Sequence, residues 1–126
     1  MSSTPPSGTR IGIVEDEAMI AMLLAQMLSR EGYDVVFQGA TPDEAVDCTR
    51  ARNPQIVLMD VNLGGEKDGI DAAMEIRQFS EVPIIFITAY SDEGTALRAA
   101  PVRPESFLTK PIRRTQLLEA IQKGIA

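Results

Sequence analysis

Strand-length apolar runs alternate with segments of helical period five times along this 126-residue chain. That alternation limits the available architectures more than any other feature, because each such unit is a strand followed by a helix that must cross over to the next strand. Arg10–Val14 (RIGIV) is a short β-branched run. Over 17–30, Ile20, Leu23, Leu24, Met27 and Leu28 recur at helical spacing, and Gly32 stops the helix. Residues 34–38 predict a second strand. Thr41 as cap, Pro42 at the first helical position and Glu44 as the return half of a capping box start a second helix, which Pro54 interrupts. Residues 55–60 are apolar up to Asp60. After the glycine-rich loop Leu63-Gly64-Gly65, the pattern predicts a helix over 69–79, a strand over 82–88 and a short helix over 92–100 ended by Pro101. A weak strand over 105–109 and a last helix over 113–123 complete it. The runs IVLM and IIFI lack polar alternation, which suits strands buried on both faces. The prediction is an α/β fold, a five-stranded parallel sheet doubly wound as (βα)5, in one domain over 10–126. Residues 1–9 (MSSTPPSGT) have neither a positive start nor an apolar stretch, and read as a flexible tail rather than a secretory signal.

The balance of side chains removes several function classes. Eighteen acidic residues against twelve basic ones leave a net charge of −6, which argues against direct nucleic-acid binding. The chain has no histidine, so His-based triads and metal sites are excluded, and so is a role as a phosphohistidine donor. Cys48 is the only cysteine, which rules out an internal disulfide and a thiolate zinc site. No apolar run approaches the ~20 residues that span a bilayer. A cytoplasmic location is the default expectation.

Ligands of open parallel α/β sheets sit beyond the carboxyl ends of the strands, so the last residues of each strand are the place to look. The first strand runs into Glu15-Asp16-Glu17, the third ends at Asp60, the fourth at Thr88-Ala89 and the fifth at Lys110-Pro111. Carboxylates gathered this closely repel one another, and a hard divalent cation relieves the conflict; an all-oxygen set with few protein ligands suits Mg²⁺. Asp60 can then act as a nucleophile towards a phosphoryl group, with Lys110, the Thr88 hydroxyl and the Ala89 N–H on the phosphoryl oxygens. Taken singly, each piece also has a bland explanation. EDE is an ordinary solvated first turn, Asp60 a cap, Thr88 a structural hydroxyl and Lys-Pro a turn. Their joint placement at the ends of four strands sets them apart.

The segments IVEDE at 13–17, LMDVNLGGEKDGIDA at 58–72, PIIFITAY at 83–90 and FLTKPI at 107–112 resemble, in order and spacing, the receiver domain of bacterial two-component response regulators. The resemblance runs from about Arg10 to the C-terminus and implies the flavodoxin-like receiver fold. It implies that Asp60 is the phosphoacceptor, Asp16 a direct Mg²⁺ ligand, Glu15 an acid reaching the metal through water, and the Asn62 backbone carbonyl a further ligand. It also implies that Thr88 and Lys110 contact the phosphoryl group, that Phe107 is the aromatic switch residue, and that the Lys110–Pro111 bond is cis. Asn62 and Tyr90 fall at the positions that tune phosphoryl hydrolysis, and an aromatic at 90 should slow it. For Phe107 a plain core aromatic stays equally open. The implied function is a phosphorylation-dependent switch in a phosphorelay, not a turnover enzyme. It would take its phosphoryl group from a sensor histidine kinase or a histidine phosphotransfer protein, and change the face made by the fourth helix, fifth strand and fifth helix. The downstream partner is unknown, no membrane is involved, and a monomer or weak dimer is expected.

The segment APVRPES at 100–106 departs from the Gly-Ala turn common in that family, which predicts a short fourth helix and a stiff connection. Arg98, Arg103, Arg113 and Arg114 are either a basic patch near that face or solvated surface side chains. A phosphatase of the haloacid dehalogenase type would need an acid two residues after its nucleophile, where this chain has Asn62. A flavodoxin-like cofactor carrier would need phosphate-cradling donors after the first strand, where EDEAM supplies negative charge. A degenerate receiver that only docks fits poorly with a complete set of Asp16, Asp60, Thr88 and Lys110. No output domain follows the fifth helix, so a stand-alone receiver and a piece of a longer regulator are both compatible with the chain.

Overall fold

A computed structural model describes residues 8–89 and 93–126. Residues 1–7 of the expected tail, Tyr90 and the expected start of the fourth helix at Asp92 lie outside the described residues. Five strands, β1 (Arg10–Val14), β2 (Asp34–Gly39), β3 (Ile56–Asp60), β4 (Ile84–Thr88) and β5 (Ser106–Thr109), alternate with α1 (Ala18–Arg30), α2 (Pro42–Arg52), α3 (Gly69–Ile76), α4 (Glu93–Ala99) and α5 (Arg114–Ile125). All strand pairs are parallel, in the order β2-β1-β3-β4-β5. The chain first steps outward from β1 to β2 and then returns across β1 to β3. The order therefore reverses between β1 and β3, which is where a doubly wound sheet opens a crevice for a ligand.

Every residue of β3 and β4 is buried. Their side chains divide between two cores, one on each face of the sheet. On one face Leu28 of α1 and Leu117 and Ile121 of α5 pack on Ile13, Leu58 and Ile85. On the other, α2, α3 and Ala99 of α4 pack on Val57, Met59, Ile84 and Phe86. This two-sided burial is why the apolar runs read clearly as interior strands. Thr41 caps α2 through the Glu44 N–H at 3.1 Å, as its sequence predicts. The Glu44 carboxylate reaches back one residue further than a capping box requires, accepting from Ala40 N–H at 2.7 Å.

Several boundaries shift for identifiable reasons. β4 starts at Ile84 rather than Val82. The Pro83 carbonyl accepts from Val57 N–H, but proline has no N–H to continue the ladder. α3 stops at Ile76 rather than residue 79, because Gln78 and Phe79 make tighter three-residue turns onto Glu75 and Ile76. The Arg77 guanidinium also binds the carbonyls of Val82 and Val102, both at 2.7 Å, and so draws the chain out of the helix. α4 ends at Ala99, and Pro101 lies within a 3-10 turn over Ala100–Val102 that closes on Arg103 at φ 51°.

Close packing of β1 on β2 depends on Gly12. A methyl at that position would lie 2.2 Å from the Phe37 ring. Gly12→Ala should therefore lower stability by roughly 1–3 kcal/mol, the usual cost of overpacking. In a Phe37→Leu background the same substitution should cost distinctly less, a comparison that urea unfolding of the four proteins makes directly.

Candidate functional site

Parallel pairing carries the ends of β1, β3, β4 and β5 to one edge of the sheet. Past β1, Glu15 N–H bonds the Gly39 carbonyl at 2.9 Å, which extends the β1–β2 pairing by one residue. Past β3, Val61 N–H bonds Ile87, and past β5 Lys110 N–H bonds Thr88. These bonds hold the backbone of each chemical residue as part of the sheet rather than as free loop. Asp60 is 3% exposed and Glu15 4%. Asp16, one residue beyond Glu15, is open to solvent.

The three carboxylates Glu15, Asp16 and Asp60 each place an oxygen within 4.8 Å of the others. Lys110 Nζ lies 2.9 Å from Asp60 Oδ2 and 3.4 Å from Glu15 Oε1. The second Asp60 oxygen accepts the Asn62 N–H at 3.0 Å, and Glu15 Oε2 accepts the Glu17 N–H at 3.2 Å. Three acids thus face a single ammonium. Burial pushes the Glu15 carboxyl up to about 7, and its hydrogen bond with Asp60 reinforces that shift. The Lys110 ammonium feels burial in the opposite sense. Its hydrogen bond to Asp60 and the charges of Asp60 and Glu15 prevail, and hold it above its ordinary value. An oxygen-only cluster of three acids in contact with the Lys110 ammonium has the donor chemistry of a hard divalent cation site, which Mg²⁺ fits.

Thr88, buried at the end of β4, and Ala89, exposed after it, stand at the same edge, and the Asn62 side chain is exposed. Phe107 is half-buried on β5 and stacks on Phe86, with ring centroids 5.2 Å apart and planes at 29°. The Lys110–Pro111 bond is cis. Three of the four arginines considered as a basic patch are paired with acids: Arg98 with Asp68, Arg103 with Glu81 and Arg114 with Glu31. These pairs use up the positive charge locally.

Two glycines support the site in ways that the sequence pattern alone does not announce. Gly69, first residue of α3, gives its N–H to Val61 at 2.8 Å, and a methyl there would sit 2.1 Å from the Asp60 carbonyl oxygen. Gly64, at φ 77°, turns the loop beside Asp16 Oδ2. The Asp-Gly pair at 68–69 ahead of a helical run, with Asp71 three residues after Asp68, was the available signal. Asp68 and Asp71 form a capping box on α3.

Residues 11–122 match the response regulator receiver domain family. The chain belongs to that family. It is 38% identical over 117 residues to the transcriptional regulatory protein PdtaR of Mycobacterium tuberculosis, covering 93% of this chain and 57% of PdtaR. It is 32% identical over 110 residues to the transcriptional regulatory protein YvrH of Bacillus subtilis, covering 87% of this chain and 46% of YvrH. This receiver thus spans about half the length of the curated relatives it matches. The signal receiver domain of a modulated diguanylate cyclase from Desulfovibrio desulfuricans G20 superposes with a TM-score of 0.86 at 35% identity, covering 94% of both chains. The expected α/β receiver fold is thereby confirmed. No helix among the described residues is long and apolar enough to cross a membrane.

The receiver's acidic cluster leaves a pH signature of its own. Folded Glu15 holds its proton up to about pH 7, while the unfolded chain releases it near 4.5. The folded state therefore binds more protons across that window, and stability from this group falls as pH rises through it. In metal-free buffer the stability measured by urea unfolding should drop between pH 5 and 7.5, by roughly 1–3 kcal/mol at about 1.4 kcal/mol per pKa unit. Glu15→Gln should remove most of that slope.

Proposed function

We propose that this receiver accepts a phosphoryl group on Asp60 and works as a phosphorylation-dependent switch in a phosphorelay. The observation that carries the proposal is the Lys110–Asp60 contact at 2.9 Å inside a cluster of three carboxylates, at the point where the strand order reverses. The side chains of Glu15, Asp16 and Asp60 and the carbonyl of Asn62 would hold Mg²⁺, which supplies positive charge to phosphoryl oxygens when bound.

The remaining steps belong to the chain's own residues. A carboxylate oxygen of Asp60 attacks phosphorus and the O–P bond forms as the bond to the donor breaks. With a phosphohistidine donor that bond is P–N, and its electron pair leaves with the imidazole nitrogen. Lys110 moves its ammonium from the carboxylate to a phosphoryl oxygen, while the Thr88 hydroxyl and Ala89 N–H donate to the others. Drawing Thr88 inward opens room beside Phe107, and the face of α4, β5 and α5 repacks. Such a switch is a shift between two packings, biased by contacts made only with the phosphoryl group. Asn62, two residues after the acceptor, and Tyr90, two residues after Thr88, tune the lifetime of the phosphoryl group.

The donor is a sensor histidine kinase or a histidine phosphotransfer protein, since the chain has no histidine of its own. Met19, Met22 and Leu23 of α1 are exposed, and Leu23 borders a cavity of about 540 Å³ with Glu15 and Lys110 in its lining. An apolar surface beside the acceptor supports docking of a donor protein there. The receiver acts in the cytoplasm and, with its acidic charge, does not contact nucleic acid directly. Its only catalysis is its own phosphorylation and dephosphorylation.

Intact mass after incubation with acetyl phosphate is the direct test. A gain of one phosphoryl group that requires Mg²⁺ and is missing from Asp60→Asn is the expected result; an adduct on Asp60→Asn, or none on a parent shown to bind Mg²⁺, would overturn the proposal. Gly69→Ala should leave the circular dichroism spectrum near that of the parent and slow adduct formation about 10- to 100-fold, because the added methyl displaces the Asp60 backbone.

A further inference from the structure

Two side-chain ties hold the α4 segment to α3, and they differ in kind. At the C-terminal end of α3, Arg77 is half-buried and binds the carbonyl of Val102, itself 1% exposed. At the N-terminal end, Arg98 of α4 forks onto Asp68. Its Nη1 lies 2.8 Å from Asp68 Oδ2 and its Nη2 3.1 Å from Asp68 Oδ1, with Asp71 Oδ1 3.7 Å away. The Arg98 side chain is half exposed to solvent. The first tie is an anchor that cannot open without uncovering buried groups. The second can open into water.

The exposed tie ends a line of contacts that starts at the acceptor. Asp68 is the N-cap of α3, taking the N–H groups of Ile70 and Asp71 at 3.0 and 3.1 Å. The next residue, Gly69, lies so close to the Asp60 carbonyl oxygen that a methyl on it would come within 2.1 Å. From Asp60 the line therefore runs through Gly69 and Asp68 to Arg98 on α4. Movement of α4 away from Asp60 pulls on this line, and its weakest member is the solvent-exposed ion pair.

We infer that the Arg98–Asp68 fork is a latch that holds α4 in its unphosphorylated position and sets the ease with which the acceptor site switches. The inference rests on the proposal that Asp60 accepts a phosphoryl group and that the α4 face responds. The latch favours the packing seen here, so it opposes any ligand that favours the other packing; removing it must strengthen that ligand's binding by the same factor. Salt weakens an exposed pair, so it should act in the same direction.

Beryllofluoride with Mg²⁺, titrated by calorimetry against the parent, Arg98→Ala, Arg98→Lys, Asp68→Asn and the double variant Arg98→Ala/Asp68→Asn, tests the latch. Asn at 68 keeps the capping oxygen while losing the charge. Arg98→Ala and Asp68→Asn should each bind about three- to fivefold tighter than the parent, the range a well-formed exposed pair can supply. The double variant should gain no more than either single change, and Arg98→Lys should fall between parent and Arg98→Ala. Parent affinity should rise from 50 to 500 mM NaCl relative to that of Arg98→Ala. Amide exchange over 93–99 should quicken in Arg98→Ala without ligand, with β1 and α5 unchanged. Equal affinities for parent and both single variants, or additive effects in the double variant, would overturn the latch and leave the phosphoacceptor function standing. Failure of the parent itself to bind beryllofluoride would overturn that function and the latch with it.

Discussion

Three carboxylates and one ammonium share the carboxyl edge of the sheet, and their mutual repulsion is the constraint around which the rest of this receiver is arranged. Two like charges about 4 Å apart at an effective dielectric near 20 repel by about 4 kcal/mol. Left to itself, a chain would disperse Glu15, Asp16 and Asp60. Their convergence is enforced by hydrogen bonds of β1, β3 and β5 that continue one residue past each strand, at Glu15, Val61 and Lys110. The energy comes from apolar side chains buried on both faces of the sheet, which far outweighs a few kilocalories of repulsion. Glu15, buried and hydrogen-bonded with Asp60, answers by holding a proton towards neutral pH. Three acids against the Lys110 ammonium leave the site short of positive charge, and a divalent cation or a different arrangement of Lys110 meets that shortage.

The surroundings keep this arrangement in place without crowding it. Gly69 lets α3 begin directly behind the Asp60 carbonyl, where any side chain would push the strand end outward. The Asp68–Asp71 capping box then starts α3 at that point and not a residue later. Lys110 reaches Asp60 because β5 lies beside β4, and its backbone N–H bonds Thr88. Each of these is a backbone-level constraint. Substituting the chemical side chains would change reactivity, whereas substituting the glycine would move the acceptor itself.

Much of this could be read from residue order, and the parts that could not share a cause. IVLM and IIFI read as interior strands because they are buried on both faces, and that burial fixes their residue types directly. The strand-end residues were legible because parallel topology places consecutive strand ends at one edge. The start of β4 shifted for a local reason, Pro83, but the end of α3 shifted where a side chain reaches a residue distant in sequence. Arg77 ends α3 by reaching Val102, 25 residues on. Arg98 finds Asp68 30 residues back, which no local pattern announces. The same distance effect separated two possibilities for the arginines: a stretch rich in Arg looks like a basic patch until Asp68, Glu81 and Glu31 are placed against it. Gly69 was visible as a residue but not as a requirement, since only the fold shows the Asp60 carbonyl against it.

The connection from α4 to β5 bears on how such a face can move. Pro101 and Pro104 each fix a backbone angle, Arg103 closes the turn in the left-handed region, and Val102 is buried and held by Arg77. A segment with so little torsional freedom does not absorb a displacement by remodelling itself. Glu105 N–H also bonds Ile84, so the end of the connection is already sheet. Displacement of α4 must then take the form of a pivot about the Val102 anchor, with the helix moving as a body and its exposed contacts, not its buried ones, giving way. A Gly-rich turn at the same place would let motion at α4 dissipate in the loop. The stiff connection gives α4 no such slack, so under the proposed switch the helix moves as a body and its exposed contacts yield first. In this receiver, therefore, the departure from the usual turn directs any motion of α4 against its exposed tie to α3.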